Sequence, residues 1–325
     1  MFKKIAVLVL VMMLLSGCGR KVELKRQGFY LDNVFEVKLK YKRDKDVQER
    51  RENALADAFN NIVQLDTNLN KLSSISEIMA LNTMAGLKTV EVTPETFNLI
   101  KKAISASVIT DGYFDVTWEP LINIFSGGRQ PSQGEIRNVL PAVGYLNIQL
   151  DRGVNRVKFA HSGTKLTVDR LKHGYAIDNL IQKLARRELV TGYVKAGKIA
   201  YYFGKKKEKV KLPNKREMKL DVSNKAICTL TVDDEFIRDS AAWRSYLPLD
   251  VSPNNIEKVV VVAPNALTAE VLANAFYFMG PDRALELISY LKVKTNDKNL
   301  YNTVIIAKEN ETRVVYSSLK KKRKK

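Results

Sequence analysis

Between Val34 and Tyr41 apolar and charged residues alternate, Val-Phe-Glu-Val-Lys-Leu-Lys-Tyr, the mark of a strand with one buried face. The period then lengthens. From Asp44 to Leu72, Ala54, Leu55, Ala58, Ile62 and Leu65 recur on one side of a long helix. Ser73 to Asn82 reads as a short capped helix. Thr93-Pro94-Glu95 starts another, which runs from Glu95 to about Ile109 and stops at Asp111-Gly112. Ser126 to Gln133 is rich in Gly, Pro and Ser and reads as a loop. Strands are predicted at Leu146–Leu150 and Arg156–Phe159, joined by a turn at Asp151-Arg152-Gly153, and at Leu166–Asp169. A helix follows from Gly174 to Arg187. Strand patterning returns over Tyr193–Phe203 and Val210–Leu212, around a basic turn at Lys205–Lys209. The continuous apolar run Val259–Val262 is a further strand, Leu267–Met279 and Ala284–Leu291 are helices, and Thr303–Ala307 is the last strand. Strands and helices mix without a regular βαβ rhythm and no internal repeat is visible, so the fold class is α+β in two layers or more.

The N-terminus follows a different pattern. Lys3 and Lys4 precede an apolar run from Ile5 to Leu15 and then Ser16-Gly17-Cys18. That is a charged n-region, an h-region too short to cross a bilayer as a permanent helix, and a small-residue cleavage site. Leu15-Ser16-Gly17-Cys18 resembles the lipobox of bacterial lipoproteins, which implies a lipid on Cys18 and a membrane partner through that lipid. The expected organisation is a signal peptide over 1–17, a lipidated tether over 18–28, a domain over 29–319 and a basic, solvated tail over 320–325. The location expected is the cell envelope, facing the periplasm or the exterior.

The chain has 325 residues, 45% of them hydrophobic, with a formal net charge of +19, so an ordinary globular core is within reach. Such a surplus fits nucleic acid, an anionic membrane surface or a lysine-rich proteome. Export argues against nucleic acid. The tail is most simply a solvated segment, with lipid headgroups as the alternative contact. Besides Cys18 only Cys228 remains, so no intramolecular disulfide is expected, and its run Ala226-Ile227-Cys228-Thr229 reads as a buried small hydrophobe.

Several strings, taken in order, resemble the landmarks of the ApbE family, the FAD:protein FMN transferases. They are Ser76-Glu77-Ile78-Met79-Ala80-Leu81-Asn82; Asp111-Gly112-Tyr113-Phe114-Asp115-Val116-Thr117 followed by Glu119-Pro120-Leu121; Gly174-Tyr175-Ala176-Ile177-Asp178; and Val260-Val261-Val262-Ala263-Pro264 with Ala269-Glu270-Val271-Leu272-Ala273-Asn274-Ala275. The resemblance implies an ApbE-like, T-fold-related domain of mixed sheets packed with helices. It also implies transfer of FMN from FAD to a Ser or Thr of an exported acceptor protein, with Mg2+. Such chemistry needs a pocket for a long dinucleotide, a divalent cation against its diphosphate and a base near the acceptor hydroxyl.

Carried over residue by residue, the resemblance places FAD against Phe114, Asp115, Thr117, Arg170, Gly197 and Thr229, and Mg2+ on Glu270 and Asn274. The motifs also depart from the family. Its Met-Gly-Thr becomes Leu31-Asp32-Asn33. Its Asp-Leu-Gly-Gly-Ile-Ala-Lys-Gly becomes Thr167-Val168-Asp169-Arg170-Leu171-Lys172-His173-Gly174, so two glycines that let backbone approach phosphate are Asp169 and Arg170. Glu270 and Asn274 stand for Asp and Thr. Arg244 to Asp250 stands where the family carries its His-Ile-Ile-Asp-Pro base segment. His173, at the family's lysine, is either a base candidate or a structural histidine at a helix start. Arg170, Lys172 and Lys198 are either phosphate partners or surface charges, and Trp118 and Phe125 either a flavin wall or core. Two readings stay open: an envelope FMN transferase with remodelled metal and base positions, and a catalytically degenerate relative acting as a flavin-nucleotide or protein binding module. A third, a structural lipoprotein sharing only the fold, lies outside the family.

Overall fold

Two consecutive residues with positive φ, Leu31 at 51° and Asp32 at 64°, fold the chain back on itself early. They form the tight turn that suits the twist of a two-residue hairpin. The strands on either side are β1 (Lys21–Tyr30) and β2 (Asn33–Lys42), paired antiparallel from Tyr30 with Asn33 to Lys21 with Lys42. The computed structural model describes residues 21–42, 48–151, 153–184, 189–213, 216–251, 255–310 and 312–319. Cys18, the expected signal peptide over 1–17 and the expected tail over 320–325 lie outside the described residues.

The chain continues through α1 (Gln48–Leu69), α2 (Glu77–Thr83), β3 (Val90–Glu91), α3 (Pro94–Ile109), α4 (Glu119–Ile124), α5 (Gln133–Val139), β4 (Ile148–Asp151) and β5 (Arg156–Phe159). Next come α6 (Lys172–Lys183), β6 (Leu189–Ala196), β7 (Ile199–Phe203), β8 (Lys207–Lys211), β9 (Glu217–Asp221), β10 (Lys225–Thr231) and α7 (Glu235–Asp239). The last elements are β11 (Ile256–Ala263), α8 (Ala266–Met279), α9 (Pro281–Lys294), β12 (Asn302–Glu309) and β13 (Thr312–Ser317). The expected α+β class is what the structure has. Eight described strands form one antiparallel sheet in the order β1-β2-β6-β7-β10-β11-β12-β13, β3-β5-β4 form a second, and β8-β9 a hairpin.

Strand alternation sorts the large sheet's side chains into two cores. Toward the helices point Phe35, Val37 and Leu39 of β2, Tyr201 of β7, Cys228 of β10 and Val261 of β11. On the opposite face Tyr202, Ile227, Val260 and Val262 meet Val210 and Leu220 of the β8-β9 hairpin, which covers that side. The helix layer is built around α8, whose residues are all buried except Thr268. It packs on β10 and β11 and against α6, and α6 in turn packs on α1.

Three expectations need correction. Residues 21–28, read as tether, belong to β1. Arg26 takes an inward slot there with its guanidinium 4.5 Å over Phe59, so a charge masks the alternation. Leu166–Asp169 is not a strand. The side-chain amide of Asn82 donates to the Leu166 carbonyl at 3.0 Å and accepts its N–H at 2.7 Å, while the Thr167 N–H bonds Val116, so one side chain stands in for a neighbouring strand. Lys225–Thr231, read only as a buried cysteine's surroundings, is the central strand β10.

The α6-α8 contact depends on Gly174. A Cβ there would sit 2.7 Å from the backbone of Ala266 and Leu267, so any side chain forces the helices apart. Gly174→Ala is expected to cost about 1–3 kcal/mol of unfolding free energy, read as a lower urea midpoint. An unchanged midpoint would mean that the helices do not depend on this close approach.

Candidate functional site

The β1-β2 turn, the turn that opens α6 and the second turn of α8 meet at one buried carboxylate. Glu270 Oε2 accepts the N–H of Gly174 at 2.7 Å, and Oε1 lies 3.4 Å from Nδ1 of His173. On the other side of the ring, Nε2 lies 2.9 Å from the carbonyl of Leu31. A carboxylate and a carbonyl both accept, so both ring nitrogens of His173 are called on to donate, which is the imidazolium. Burial opposes that charge, but the Glu270 carboxylate and the Leu31 carbonyl outweigh it and raise the ring above its ordinary range. A ring with both N–H groups committed does not take a proton, so the structure makes His173 a brace and not a base.

Beside this brace runs a chain of alternating charges. Glu119 meets Lys71 at 2.7 Å, Lys71 meets Asp169 at 3.1 Å, Asp169 meets Lys172 at 2.8 Å, and Lys172 meets Asp32 at 2.8 Å. Burial alone would raise the Asp169 carboxyl, but the ammoniums of Lys172 and Lys71 hold it well below the usual carboxylate range. The same partners raise both lysines against the effect of burial.

Arg170, the next residue, turns inward. Its guanidinium lies 4.4 Å from the ring centre of Trp118, 4.5 Å from Phe236 and 5.3 Å from Phe114. Nη2 donates to the Asp115 carbonyl, while Nη1 is buried without a hydrogen-bond partner. Burial pulls the group down to about 10, so it stays charged at neutral pH.

These residues border a cavity of about 370 Å³ between the Asp169-Arg170 turn, α7, the ends of β7 and β10, and α8. Arg170, His173, Glu270 and Asn274 come together there as expected. Asn33, Lys71, Glu119, Cys228, Leu230, Asp234, Phe236, Asp239 and Trp243 join them without having been identified as site residues from the sequence. Asp234, buried at the start of α7, pairs with Lys198. Burial lowers Lys198, a residue expected in this region. Trp118 belongs to an aromatic cluster with Phe278 at 4.8 Å and Trp243 at 5.6 Å, the core alternative of its two readings.

The other expected flavin contacts lie elsewhere. Phe114 is buried beneath Arg170. The Asp115 carboxylate accepts the N–H and hydroxyl of Thr117 at 2.8 and 2.7 Å and the N–H of Tyr145 at 2.7 Å, and the Thr117 hydroxyl accepts the Gly144 N–H at 2.7 Å. Both side chains are spent on tying the 115–117 turn to the 144–145 loop. Burial raises the Asp115 carboxyl despite these donors. Thr229 faces the opposite side of the sheet beside Ile227 and Val260, because alternation along β10 sends Cys228 and Leu230 to the cavity. Gly197 does not line the cavity. It makes the β6-β7 turn at φ +52°, and a Cβ there would come 2.6 Å from the Asn33 amide, which does reach the cavity. Its part is to leave room for Asn33.

Glu270 and Asn274 do not fit a Mg2+ site as they stand. Mg2+ requires near-octahedral oxygen ligands at about 2.0–2.1 Å. Both Glu270 oxygens already face donors, and Asn274 turns its amide nitrogen toward the Glu270 carbonyl at 2.9 Å and the Arg170 carbonyl at 3.5 Å. Among the described residues no group of three or more His, Cys, Asp or Glu side chains is arranged to hold a metal.

Residues 31–295 match the ApbE family. The FAD:protein FMN transferase of Klebsiella pneumoniae is 23% identical over 223 residues, 64% of this chain and 70% of that protein. That of Escherichia coli K12 is 23% identical over 250 residues, 69% and 71% of the two chains. Among solved structures, the apo flavinyl transferase ApbE of Pseudomonas stutzeri superposes with a TM-score of 0.76 at 19% identity, covering 93% of this chain and 96% of that one.

The His173 brace has a pH signature. A histidine raised in the folded state contributes stability that is fully present below its unfolded value, about 6.5, and is lost as pH rises through the higher folded value. Urea unfolding is therefore expected to show stability falling from pH 6 toward alkaline pH, and His173→Gln to flatten that fall. A fall of the same size in the variant would assign it to other groups.

Proposed function

The chain belongs to the ApbE family, and on that premise we propose that it is an FAD:protein FMN transferase of the bacterial envelope, held to a membrane by a lipid on Cys18. The observation that supports this reading is the cavity itself. It opens where the segments resembling the family's landmarks meet: the 167–174 turn, the start of α6 and the Glu270 helix. In the reaction, a Ser or Thr hydroxyl of an exported acceptor attacks the phosphorus on the FMN side of FAD. The bond from that phosphorus to the bridging oxygen breaks and AMP leaves. With His173 engaged at both nitrogens, the hydroxyl proton passes to a carboxylate at the rim, where Glu235 and Asp239 are exposed.

A second reading, a flavin-nucleotide binding module without turnover, draws on the charges of the lining. Glu270 and Asn274 are engaged with His173, Gly174 and the Glu270 carbonyl, so neither is free to hold a cation against a diphosphate during transfer, while Lys71, Arg170 and Lys198 still line the cavity. Arg170 also stands where a close backbone approach to phosphate would need glycine.

Incubation with FAD, Mg2+ and an acceptor carrying a flavinylation motif, read by in-gel fluorescence, separates the two. The transferase reading expects a fluorescent acceptor band that weakens at least about tenfold when Glu235→Gln and Asp239→Asn are combined, within the range of general-base effects. Flavin binding without a band is the outcome of the second reading. A preparation that stays colourless and binds no flavin sinks both.

A further inference from the structure

The large sheet is antiparallel throughout, so its registers sort every strand terminus onto one of two ends. At one end lie Asn33, the Lys198-Ile199 turn and the second half of β10, which border the cavity. At the other, Lys21 pairs with Lys42, Gly192 with Phe203, Tyr202 with Lys225, Ala226 with Ala263, Val262 with Asn302 and Val304 with Ser317. The described residues begin at this second end, three positions after Cys18, and finish there at Leu319, after which residues 320–325 are all Lys or Arg. Lys205, Lys206 and Lys207 stand at the same end in the turn from β7 to β8, with Lys225 at the start of β10 and Lys294 and Lys298 where α9 leads into β12. We infer that this end of the sheet is a docking surface for an anionic phospholipid bilayer, and that the cavity at the opposite end faces away from the membrane.

The backbone beneath the three consecutive lysines is fixed. The Gly204 N–H donates to the Asn224 side-chain oxygen at 2.8 Å and the Lys206 N–H to the Ser223 hydroxyl at 2.9 Å. The Lys225 ammonium donates to the Asn299 carbonyl at 2.8 Å, and that of Lys292 to Asn302 Oδ1 and the Ser318 carbonyl, each at 3.3 Å, so the loop bearing Lys298 and the exit of β13 are held to the same end. Lys205, Lys206, Lys207, Lys294 and Lys298 are exposed. Of the acids among them, Glu208 meets Lys206 at 3.3 Å, while Asp221 and Asp297 each accept a backbone N–H, from Ser223 at 2.9 Å and from Asn299 at 2.8 Å. At the cavity end, by contrast, Asp234 takes Lys198 and Glu257 takes Arg313 at 2.7 Å. A charged surface acts on a protein only within about a Debye length, roughly 10 Å at 0.1 M salt, so its cations must share one face, as these do. Tyr290 and Val293, exposed near the end of α9 beside Lys294, add apolar contact of the kind made at a headgroup boundary. The lipid proposed for Cys18 brings this same end to a bilayer, which favours a membrane over an acidic protein as the partner. At about 3.4 Å per residue, the ten residues of β1 hold the cavity about 30 Å from that surface.

The chain from Gly19 to Lys325 holds every described residue and no lipid, so it isolates the charges. Its co-sedimentation with vesicles of phosphatidylcholine, alone or mixed with phosphatidylglycerol, is expected to be at least about tenfold tighter on the anionic vesicles, since each basic residue near such a surface contributes about fivefold. High salt should abolish the difference as the Debye length shrinks to about 3 Å at 1 M. Lys205→Gln, Lys206→Gln and Lys207→Gln combined should weaken binding to the anionic vesicles at least about tenfold. Lys211→Gln, Lys258→Gln and Lys308→Gln, which remove the same charge from the cavity end, should leave it nearly unchanged. Near-UV circular dichroism checks that both variants are folded, and the lipid and salt dependence of the parent chain decides if either is not. Equal binding to the two kinds of vesicle, an anionic preference kept in full by the 205–207 variant, or losses of equal size in the two variants overturns the inference. No flavin enters the assay, so its failure leaves the transferase reading standing, and a failed transfer assay leaves this surface untouched.

Discussion

One buried carboxylate organises the middle of this protein. Glu270 sits on a helix that is buried on almost every side, where an ionised group without partners is far too costly to keep. Its partners come from outside its own helix: the backbone N–H of Gly174 and the ring of His173. The first requires α6 to press its N-terminal turn against α8, which only a residue without a side chain permits. The second requires His173 to be charged, and the charged ring in turn holds the Leu31 carbonyl. The hairpin turn with its two positive φ values, the start of α6 and the α8 face are thus fixed relative to one another by a single acid. The cavity is the space that remains between them.

This constraint also explains what was legible in the sequence. Elements whose burial follows one period were visible: the β2 alternation, the apolar face of α1, the capped starts at Ser76 and Thr93, and the solid apolar runs of β11 and α8. Arg26 hid β1 by placing a cation over Phe59 in a slot where a strand pattern expects an apolar residue. The 166–169 segment reads as a strand, but the partner of Leu166 is a side chain, and no local pattern distinguishes an asparagine amide from a neighbouring strand. Within the site, family resemblance named Arg170, His173, Glu270 and Asn274, and these four line one cavity. It failed at Thr229 by one residue of alternation, which was recoverable had Lys225–Thr231 been recognised as a strand. Lys71, Glu119, Phe236 and Trp243 come from segments far apart in the chain, and nothing local announces that they meet.

The overall charge is a poor guide to this cleft. A surplus of +19 suggests an anion-binding protein, yet none of the described lysines of β1, β2, β8 and β9 lines the cavity, and most of the cavity's own cations are matched by acids. Lys71 has Glu119 and Asp169, Lys198 has Asp234, and His173 has Glu270. Each pair is partly buried, where mutual attraction is stronger than at the surface and breaking one pair leaves its partner stranded. A phosphate entering here has to compete with carboxylates already in place.

The replacement of two glycines by Asp169 and Arg170 therefore acts as one change. Glycines at such a turn leave backbone N–H groups open to an anion and demand nothing of their surroundings. Asp169 demands cations, and the ends of α1 and α6 supply Lys71 and Lys172. Arg170 demands a polarised oxygen and rings, and the 114–118 segment supplies the Asp115 carbonyl, Phe114 and Trp118 while α7 adds Phe236. With these partners in place the turn holds its own anion and its own cation, in a region where the family's pattern leaves room for those of a ligand. Whatever occupies the cleft must first be worth more to Arg170 and the lysines than the partners they already have, and that threshold, rather than the loss of any single group, is what separates this site from an open one.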